Sequence, residues 1–215
     1  MLKVWGRADS SNVQAVMWCI GELGIEHQRI DAGHRFGLLN TPDFKALNPN
    51  QTIPVIQDGD QQALWESGAI IRYLASQYGD GSFWPEDPAK RAHVDQWAEW
   101  SKINIAMGFT GPVFWPVVRQ SASERNESAL ERSLLVLYHY LSIAEDQLKH
   151  QSYLAADHLT FADIQFGHVL YRYFAIDIER PDLPRLRNYH SKLVDRPAFK
   201  AHVMVSYDSL KAENQ

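Results

Sequence analysis

Apolar and polar residues in the first eighty positions alternate between the period of a strand and the period of a helix. LKVW at the start has the pattern of a short strand, and EHQRI has that of a second one. Between them lies an apolar helical face that consists of Val13, Val16, Met17, Ile20 and Leu23. Gly24 follows this face and marks the end of the predicted helix.

Four more elements are predicted before residue 79. TPDFKAL predicts a short helix with Thr41 as its N-cap and Pro42 at its first position. IPVIQD and QQALW, joined by a turn at Gly59 and Asp60, predict a β-hairpin, and a helix follows over 67–78. A crossover helix makes the first two strands parallel, whereas a tight turn makes the last two antiparallel. The order βαβαββα therefore predicts a small α/β domain with a mixed sheet over 1–78.

The pattern changes after this domain. GDGSFWPEDP is rich in Gly, Pro and Asp and predicts a linker over 79–88. From residue 89 to residue 215 we find only helical patterns, so the predicted fold class is α/β followed by an all-α domain. The predicted helices cover 89–106, 113–120, 124–149, 161–174, 184–194 and 197–205, with an interruption between the first two.

The stretch LTFADI carries a sharp local signal. Thr160 and Asp163 have the spacing of a capping box, and Leu159 and Ile164 have that of a hydrophobic staple. The motif predicts a helix start at this point. We interpret it as structural.

Composition and charge narrow the function. The chain has 215 residues, 45% of them apolar, and its 26 acidic and 21 basic residues are interspersed, giving a net charge of −5. Because no Lys/Arg cluster tracks phosphates, we expect no nucleic-acid partner. No apolar run approaches the length of a membrane span, and charged residues stand close to the N-terminus. We therefore expect no membrane partner and a cytoplasmic location.

Cysteine and histidine usage points away from redox and metal chemistry in the protein itself. Cys19 is the single cysteine and lies on an apolar helical face, which predicts a packed, inert thiol. The histidines lack the spacing of a known ligand motif, so we predict no metal site.

Four stretches, in order, carry a resemblance to a known family: SSNVQAVMWCIGELGI, NPNQTIPVI, ALWESGAIIRYLASQYG and LTFADI. Along essentially its whole length the chain resembles the cytosolic glutathione S-transferases, with a texture similar to that of bacterial members of the serine-using, theta-like kind. The resemblance implies a thioredoxin-like N-terminal domain, an all-helical C-terminal domain and a homodimer. It also implies that glutathione is the co-substrate and that its thiolate attacks an electrophilic small molecule.

Glu66 and Ser67 stand where a predicted strand meets a predicted helix, and two interpretations apply. Ser67 can cap the helix while Glu66 improves its dipole, or the pair can bind the γ-glutamyl group of glutathione. In the second case Ser67 donates to the carboxylate and Glu66 accepts from the ammonium. Together with the other three stretches, the pair favours glutathione binding.

The resemblance implies further glutathione contacts. It implies a cis peptide before Pro54, with the backbone of Ile53 binding the cysteinyl part. Many relatives have Gln or Lys directly before the aliphatic residue, where this chain has Thr52; we include Gln51, one step earlier, among the predicted glutathione-binding residues. His34 and Arg35, in the loop AGHRFGLLN, can bind the glycyl carboxylate or belong to a solvated loop.

Activation of the thiol needs a donor after the first strand. A free thiol has a pKa of about 8.5 and is therefore mostly protonated at neutral pH. A hydroxyl that donates a hydrogen bond to the sulfur would stabilise the thiolate and lower this pKa. The resemblance places this role on Ser10, with Ser11 and Asn12 as neighbouring alternatives; all three residues also suit a helix cap. No cysteine occurs in this loop, which disfavours the family's cysteine-using mechanism.

Aromatic residues around a Gly/Pro-rich segment suggest the second substrate site. The predicted electrophile-binding residues are Met107, Phe109, Phe114, Trp115 and Tyr171. At helical spacing such residues also suit a core.

In the homodimer that the resemblance implies, Asp95 or Glu99 of one subunit reaches the γ-glutamyl ammonium bound by the other. Two rival functions stay open, a glutathione-dependent peroxide or disulfide reductase and a non-catalytic binding module.

Overall fold

A computed structural model describes residues 1–121 and 123–211. The first part of the chain folds in the predicted order βαβαββα. Its elements are β1 (Leu2–Trp5), α1 (Ser11–Glu22), β2 (His27–Ile30), α2 (Pro42–Leu47), β3 (Val55–Asp58), β4 (Leu64–Trp65) and α3 (Ser67–Tyr78). A short 3-10 helix, His34–Phe36, lies between β2 and α2.

The four strands form one mixed sheet in the order β2-β1-β3-β4. β1 runs parallel to β2, with Leu2 opposite His27, and antiparallel to β3, with Trp5 opposite Val55. β3 pairs antiparallel with β4, which confirms the predicted hairpin. Because side chains alternate along β1, Leu2 and Val4 are buried while Lys3 between them is exposed.

The rest of the chain is helical. The α-helices are α4 (Pro88–Trp100), α5 (Met107–Phe109), α6 (Trp115–Arg119), α7 (Glu127–Gln147), α8 (Phe161–Gly167), α9 (Leu170–Ala175), α10 (Pro184–Val194) and α11 (Pro197–His202). Two π-helical stretches, Ser101–Ala106 and Thr110–Phe114, connect α4, α5 and α6, and a 3-10 helix covers Asp208–Leu210. In the residues described, no helix combines the length and the apolarity needed to cross a membrane.

The interruption predicted near Pro112 is wrong, because the chain remains helical from Pro88 to Arg119. A proline inside an α-helix lacks the N–H for the i−4 bond and its ring clashes with the i−4 carbonyl. Here Pro112 lies within the π-helical stretch Thr110–Phe114, where the hydrogen-bond register is already shifted by one residue. Gly111 and Pro112 thus lie in a stretch where the type of helix changes, and the helix does not end there.

The single helix predicted over 161–174 is also wrong, since α8 ends at Gly167 and α9 begins at Leu170. Gly167 packs tightly: a Cβ at this position would lie 2.6 Å from Leu193 Cδ1 and 2.9 Å from Trp18 Cη2. The last predicted helix is shorter than expected and ends at His202.

The capping box at the start of α8 is confirmed. The buried carboxylate of Asp163 accepts from the backbone N–H of Thr160 at 2.8 Å and from the Thr160 hydroxyl at 3.0 Å. It also accepts from the N–H of Leu154 and the hydroxyl of Tyr189, both at 2.9 Å. Burial raises the pKa of Asp163, and these hydrogen bonds oppose the shift. One side chain therefore joins α8, α10 and the segment that precedes α8.

Candidate active site

Ser10 is the N-cap of α1, but its side chain makes no capping hydrogen bond. Its carbonyl oxygen accepts from the N–H of Gln14 at 2.8 Å, so the backbone alone starts the helix. The side chain is half-buried. Its hydroxyl is therefore not used by the helix start that it precedes.

The next two residues are in the first turn of α1. Asn12 is the more constrained, because its Oδ1 accepts from the Lys102 ammonium at 2.8 Å. This bond directs the Asn12 oxygen toward the helical domain. Ser11, like Ser10, is half-buried.

A charged network fixes the loop between β1 and Ser10. The buried carboxylate of Asp9 lies 2.5 Å from Arg7 Nη1 and 2.6 Å from the Ser209 hydroxyl. Burial alone would raise the pKa of Asp9. The contacts with Ser209 and Arg7 lower it by more, so the pKa lies below its usual value. From α9, Arg172 donates to the Asp9 carbonyl oxygen at 2.7 Å. Both domains thus hold the segment that presents Ser10.

The peptide bond between Ile53 and Pro54 is cis, as the resemblance implies. The ladder between β3 and β4 begins with Val55 opposite Trp65, so Ile53 lies just outside it. The preceding segment is held by Asn48, whose amide donates to the carbonyl oxygen of Thr52 at 2.9 Å. The backbone of Ile53 therefore lies just before the inner strand β3 and is not used by the strand pairing.

Glu66 precedes α3 in a conformation that non-glycine residues rarely adopt, with φ at 69°. It is exposed, and its side chain makes no capping bond. Backbone strain of this kind costs about 1–3 kcal/mol and concentrates at ligand sites. Ser67, the first residue of α3, is 2% exposed, and its Oγ accepts from Lys102 at 3.1 Å. These features favour ligand binding over capping.

The loop after β2 brings a further cation toward the segment that contains Asp9 and Ser10. Arg35 and His34 are both exposed, and Arg35 Nη1 lies 4.0 Å from Asp9 Oδ2. The Arg35 guanidinium also stacks over the Phe36 ring at 4.8 Å. Gln51, at the start of the segment before Pro54, is half-buried and has a φ of 56°.

Sequence reasoning missed Lys102. It lies in the π-helical stretch Ser101–Ala106, yet its ammonium contacts both α1 and α3. Burial lowers its pKa, while the carboxylates of Glu66 and Glu99 oppose the shift. The local sequence SKINIA does not predict these contacts. Lys102 is separated from Asn12 by 90 positions in the chain and from Ser67 by 35.

The predicted electrophile-binding residues do not form one open wall. Phe109 and Phe114 are buried, at 1% and 0% exposure, so neither ring has surface free for a small molecule. Met107 is 62% exposed, because residues two positions apart point to different sides of a helix. Trp115 and Tyr171 are half-buried. Burial therefore does not support a role for the two phenylalanine rings.

Asp95 and Glu99, expected to reach a partner subunit, both pair with Arg72 of their own chain. Arg72 donates to Asp95 Oδ1 from Nε at 2.9 Å and from Nη2 at 2.6 Å. This cluster ties α3 to α4 close to Ser67. Among residues 1–121 and 123–211, we find no cluster of three or more His, Cys, Asp or Glu side chains that could hold a metal ion.

Models of two protein domains match the chain. The model described as "Glutathione S-transferase, N-terminal domain" matches residues 9–77, and the one described as "Glutathione S-transferase, C-terminal domain" matches residues 105–197. The chain belongs to the glutathione S-transferase family. This result confirms the predicted fold, the predicted class of enzyme and glutathione as its co-substrate.

Relatives are similar over nearly the full length. The theta class glutathione S-transferase from Xanthomonas axonopodis pv. citri, solved with glutathione bound, superposes with a TM-score of 0.88 at 39% identity, covering 95% of this chain and 98% of that one. Glutathione S-transferase GstB of Escherichia coli is 31% identical, covering 95% of this chain and 99% of its own. Glutathione S-transferase 3 of Zea mays is also 31% identical, covering 94% and 93%.

Proposed function

We propose that this glutathione S-transferase ionises the glutathione thiol with the Ser10 hydroxyl and transfers the thiolate to an electrophilic carbon. One observation carries the proposal: the Ser10 side chain caps nothing, although the residue starts α1. A hydroxyl at a helix N-terminus, within a segment fixed by Asp9, is suited to donate to an anionic sulfur.

The bound glutathione would extend along one edge of the first domain. Its γ-glutamyl group meets Ser67 and Glu66, where the helix start favours a carboxylate and the Glu66 carboxylate favours an ammonium. The backbone of Ile53, beside the cis bond to Pro54, binds the cysteinyl unit. The glycyl carboxylate lies toward Arg35, with His34 and Gln51 as polar neighbours.

The chemistry requires a moderate shift of the thiol pKa. Lowering it by about two units from about 8.5 takes about 2.7 kcal/mol of differential stabilisation, which charge-assisted hydrogen bonding can provide. The thiol proton passes to solvent, and the sulfur forms a bond to the electrophilic carbon. A leaving group such as chloride departs with its bonding electron pair, and a thioether results.

A titration of bound glutathione by thiolate absorbance tests the role of Ser10. Ser10→Ala should return the thiol pKa toward its free value and slow conjugation of chlorodinitrobenzene at neutral pH by a similar factor. Ser11→Ala is the matched control, since it removes a hydroxyl one residue away, and Asn12→Ala tests the second alternative. A pKa change confined to either control would move the role to that residue.

The titration, together with an assay of peroxide reduction, separates the rival functions. An unshifted thiol pKa in the parent protein would refute activation by this loop and favour a binding module. If the parent ionises glutathione but reduces cumene hydroperoxide much faster than it conjugates chlorodinitrobenzene, the electrophile is a peroxide. The thiolate step then stands and the proposed carbon electrophile does not.

The electrophile would bind beside the junction of α9 and the catalytic loop. Arg172 connects the two, because it donates to the Asp9 carbonyl oxygen and lies 4.8 Å from the Phe114 ring. Trp115 packs against Phe114 and Tyr171 precedes Arg172 in α9, and both rings are half-buried, so each keeps some surface for a ligand. Trp115→Ala should raise the KM for an aromatic electrophile and leave the KM for glutathione unchanged; an equal rise in both would contradict this placement.

We also propose a homodimer formed by an exposed apolar face on the helical domain. Ile103, Met107, Leu135 and Val136 are 56–63% exposed, and Val136 lines a surface groove together with Gly108. Apolar side chains clustered at this exposure favour burial against a second copy. Light scattering after gel filtration should give a dimer mass for the parent and a monomer mass for the variant Met107→Glu/Val136→Glu.

A cytoplasmic location is the remaining proposal. It is supported by membership of the glutathione S-transferase family, whose cytosolic members the sequence resembles. Fractionation of cells that produce the protein should recover it with cytoplasmic markers. Recovery with periplasmic or membrane markers would contradict this proposal.

A further inference from the structure

Lys102 joins two parts of the glutathione site. Its Nζ lies 2.8 Å from Asn12 Oδ1, beside the thiol-activating loop, and 3.1 Å from Ser67 Oγ, at the start of α3. An ammonium carries three N–H donors and no acceptor, so Ser67 must be the acceptor in this pair. The Ser67 proton is therefore free to donate to a ligand, and that ligand atom would also lie close to the ammonium.

The charge on Lys102 is costly to keep. The side chain is half-buried, its ammonium contacts Asn12 and Ser67, and in the part of the chain that the structure describes it forms no ion pair. Arg72, close by, is paired with Asp95 and Glu99. An ammonium withdrawn in part from water without a paired anion is unfavourable, and a neutral amide could make the same two hydrogen bonds. An anionic ligand would supply the missing charge.

We propose that Lys102 is a specificity-determining residue that binds the α-carboxylate of the γ-glutamyl group of glutathione. This inference rests on the proposed placement of that group at Ser67. The γ-glutamyl group is a zwitterion at neutral pH, and two opposite charges on the protein match it: Glu66 faces the ammonium and Lys102 faces the carboxylate. Thiols without this group, such as cysteinylglycine, are thereby excluded.

Lys102 lies in a different domain from the other residues proposed to bind the γ-glutamyl group. Lys102 belongs to the helical domain, whereas Ser67 and Glu66 belong to the sheet domain. Glutathione would therefore be bound by both domains at its γ-glutamyl end.

Two glutathione analogues make the proposal testable. In 4-aminobutyryl-cysteinylglycine the α-carboxylate is absent and the amine remains, whereas in glutaryl-cysteinylglycine the amine is absent and the carboxylate remains. Dissociation constants for both analogues and for glutathione are measured by calorimetry with the parent, Lys102→Met, Lys102→Arg and Glu66→Gln. Thermal unfolding of each variant establishes that it is folded.

Lys102→Met should weaken glutathione and the glutaryl analogue about 10- to 100-fold, as expected for a lost charge-assisted hydrogen bond, and leave the aminobutyryl analogue unchanged. Glu66→Gln should weaken glutathione and the aminobutyryl analogue and leave the glutaryl analogue unchanged. Lys102→Arg should retain most of the affinity for glutathione. Equal weakening of all three ligands by Lys102→Met, or no weakening, would overturn the role of Lys102. If the parent itself binds glutathione and the aminobutyryl analogue equally well, the carboxylate site proposed at Ser67 fails.

Discussion

Arg196 donates two hydrogen bonds to the carboxylate of Glu22, from Nε at 2.7 Å and from Nη2 at 2.6 Å. Glu22 ends α1, the helix that Ser10 starts, whereas Arg196 precedes α11 in the helical domain. Trp18 also donates to this carboxylate at 2.7 Å. A two-point ion pair of this geometry fixes the angle of α1 as well as its position.

Loss of this ion pair should weaken the whole fold. Glu22→Gln keeps an acceptor for Trp18 but removes the charge, and Glu22 is only 11% exposed. We expect a loss of about 1–3 kcal/mol in the free energy of unfolding, measured by chemical denaturation. Glu26→Gln is the matched control, since Glu26 is an exposed carboxylate four residues away. Equal effects of the two variants would mean that the Arg196 contact contributes nothing.

Gly167 should not tolerate a side chain. Gly167→Ala places a Cβ within 3 Å of Leu193 and Trp18, and we expect a loss of about 1–3 kcal/mol from overpacking. Gly111→Ala is the contrast, because a Cβ there meets nothing within 4 Å. That variant should be neutral or more stable by up to about 1 kcal/mol, owing to the lower entropy of its unfolded chain. Thermal unfolding distinguishes the pair, and a destabilised Gly111→Ala would contradict the expectation.

Asp163 should be important for stability and unimportant for catalysis. Asp163→Ala removes the acceptor of four hydrogen bonds and leaves buried donors without a partner. We expect a loss of at least about 1 kcal/mol and up to about 3 kcal/mol. The thiol pKa of glutathione bound to the folded fraction should not change. Asp177→Ala, at an exposed carboxylate, is the control, and an unchanged melting temperature for Asp163→Ala would disprove the role of the capping box.

His168 should make the protein sensitive to mild acid. Burial lowers the pKa of His168 from 6.5 to about 3, with the nearby Lys102 charge adding to the effect. Between those values the unfolded chain binds a proton that the folded protein does not, so stability falls as the pH falls through this window. His168→Gln should therefore lose less stability than the parent between about pH 6.5 and about pH 5.

Urea denaturation at both pH values measures this difference. His93→Gln, at an exposed histidine, should follow the parent. Parallel pH curves for His168→Gln and the parent would show that His168 is not the group responsible.

Local patterns were sufficient for much of the fold. The period of apolar residues predicts β1, α1 and the hairpin, and the spacing of Thr160 and Asp163 predicts the start of α8. The continuous helix through Pro112 could not be predicted in this way, because proline normally disrupts helical hydrogen bonding and the π-helical register depends on packing against α7.

The candidate site divides along the same line. Ser10, Pro54, Glu66 and Ser67 belong to short motifs whose residues are adjacent in sequence. Lys102 is far from all of them in the chain and reaches Ser67 only after the two domains pack together. A contact of this kind depends on tertiary structure, which residue types and spacing do not contain.

The burial of Cys19 protects the thiol of the enzyme from the electrophiles on which the enzyme acts. The side chain is 0% exposed, and burial raises the pKa of its thiol, with Glu22 adding to the shift. It is the single cysteine of the chain, so an alkylating compound that escapes the site meets no accessible thiol on the protein. The native protein therefore offers its substrates no thiol to alkylate, and a thiol-reactive dye added to the native complex counts only glutathione.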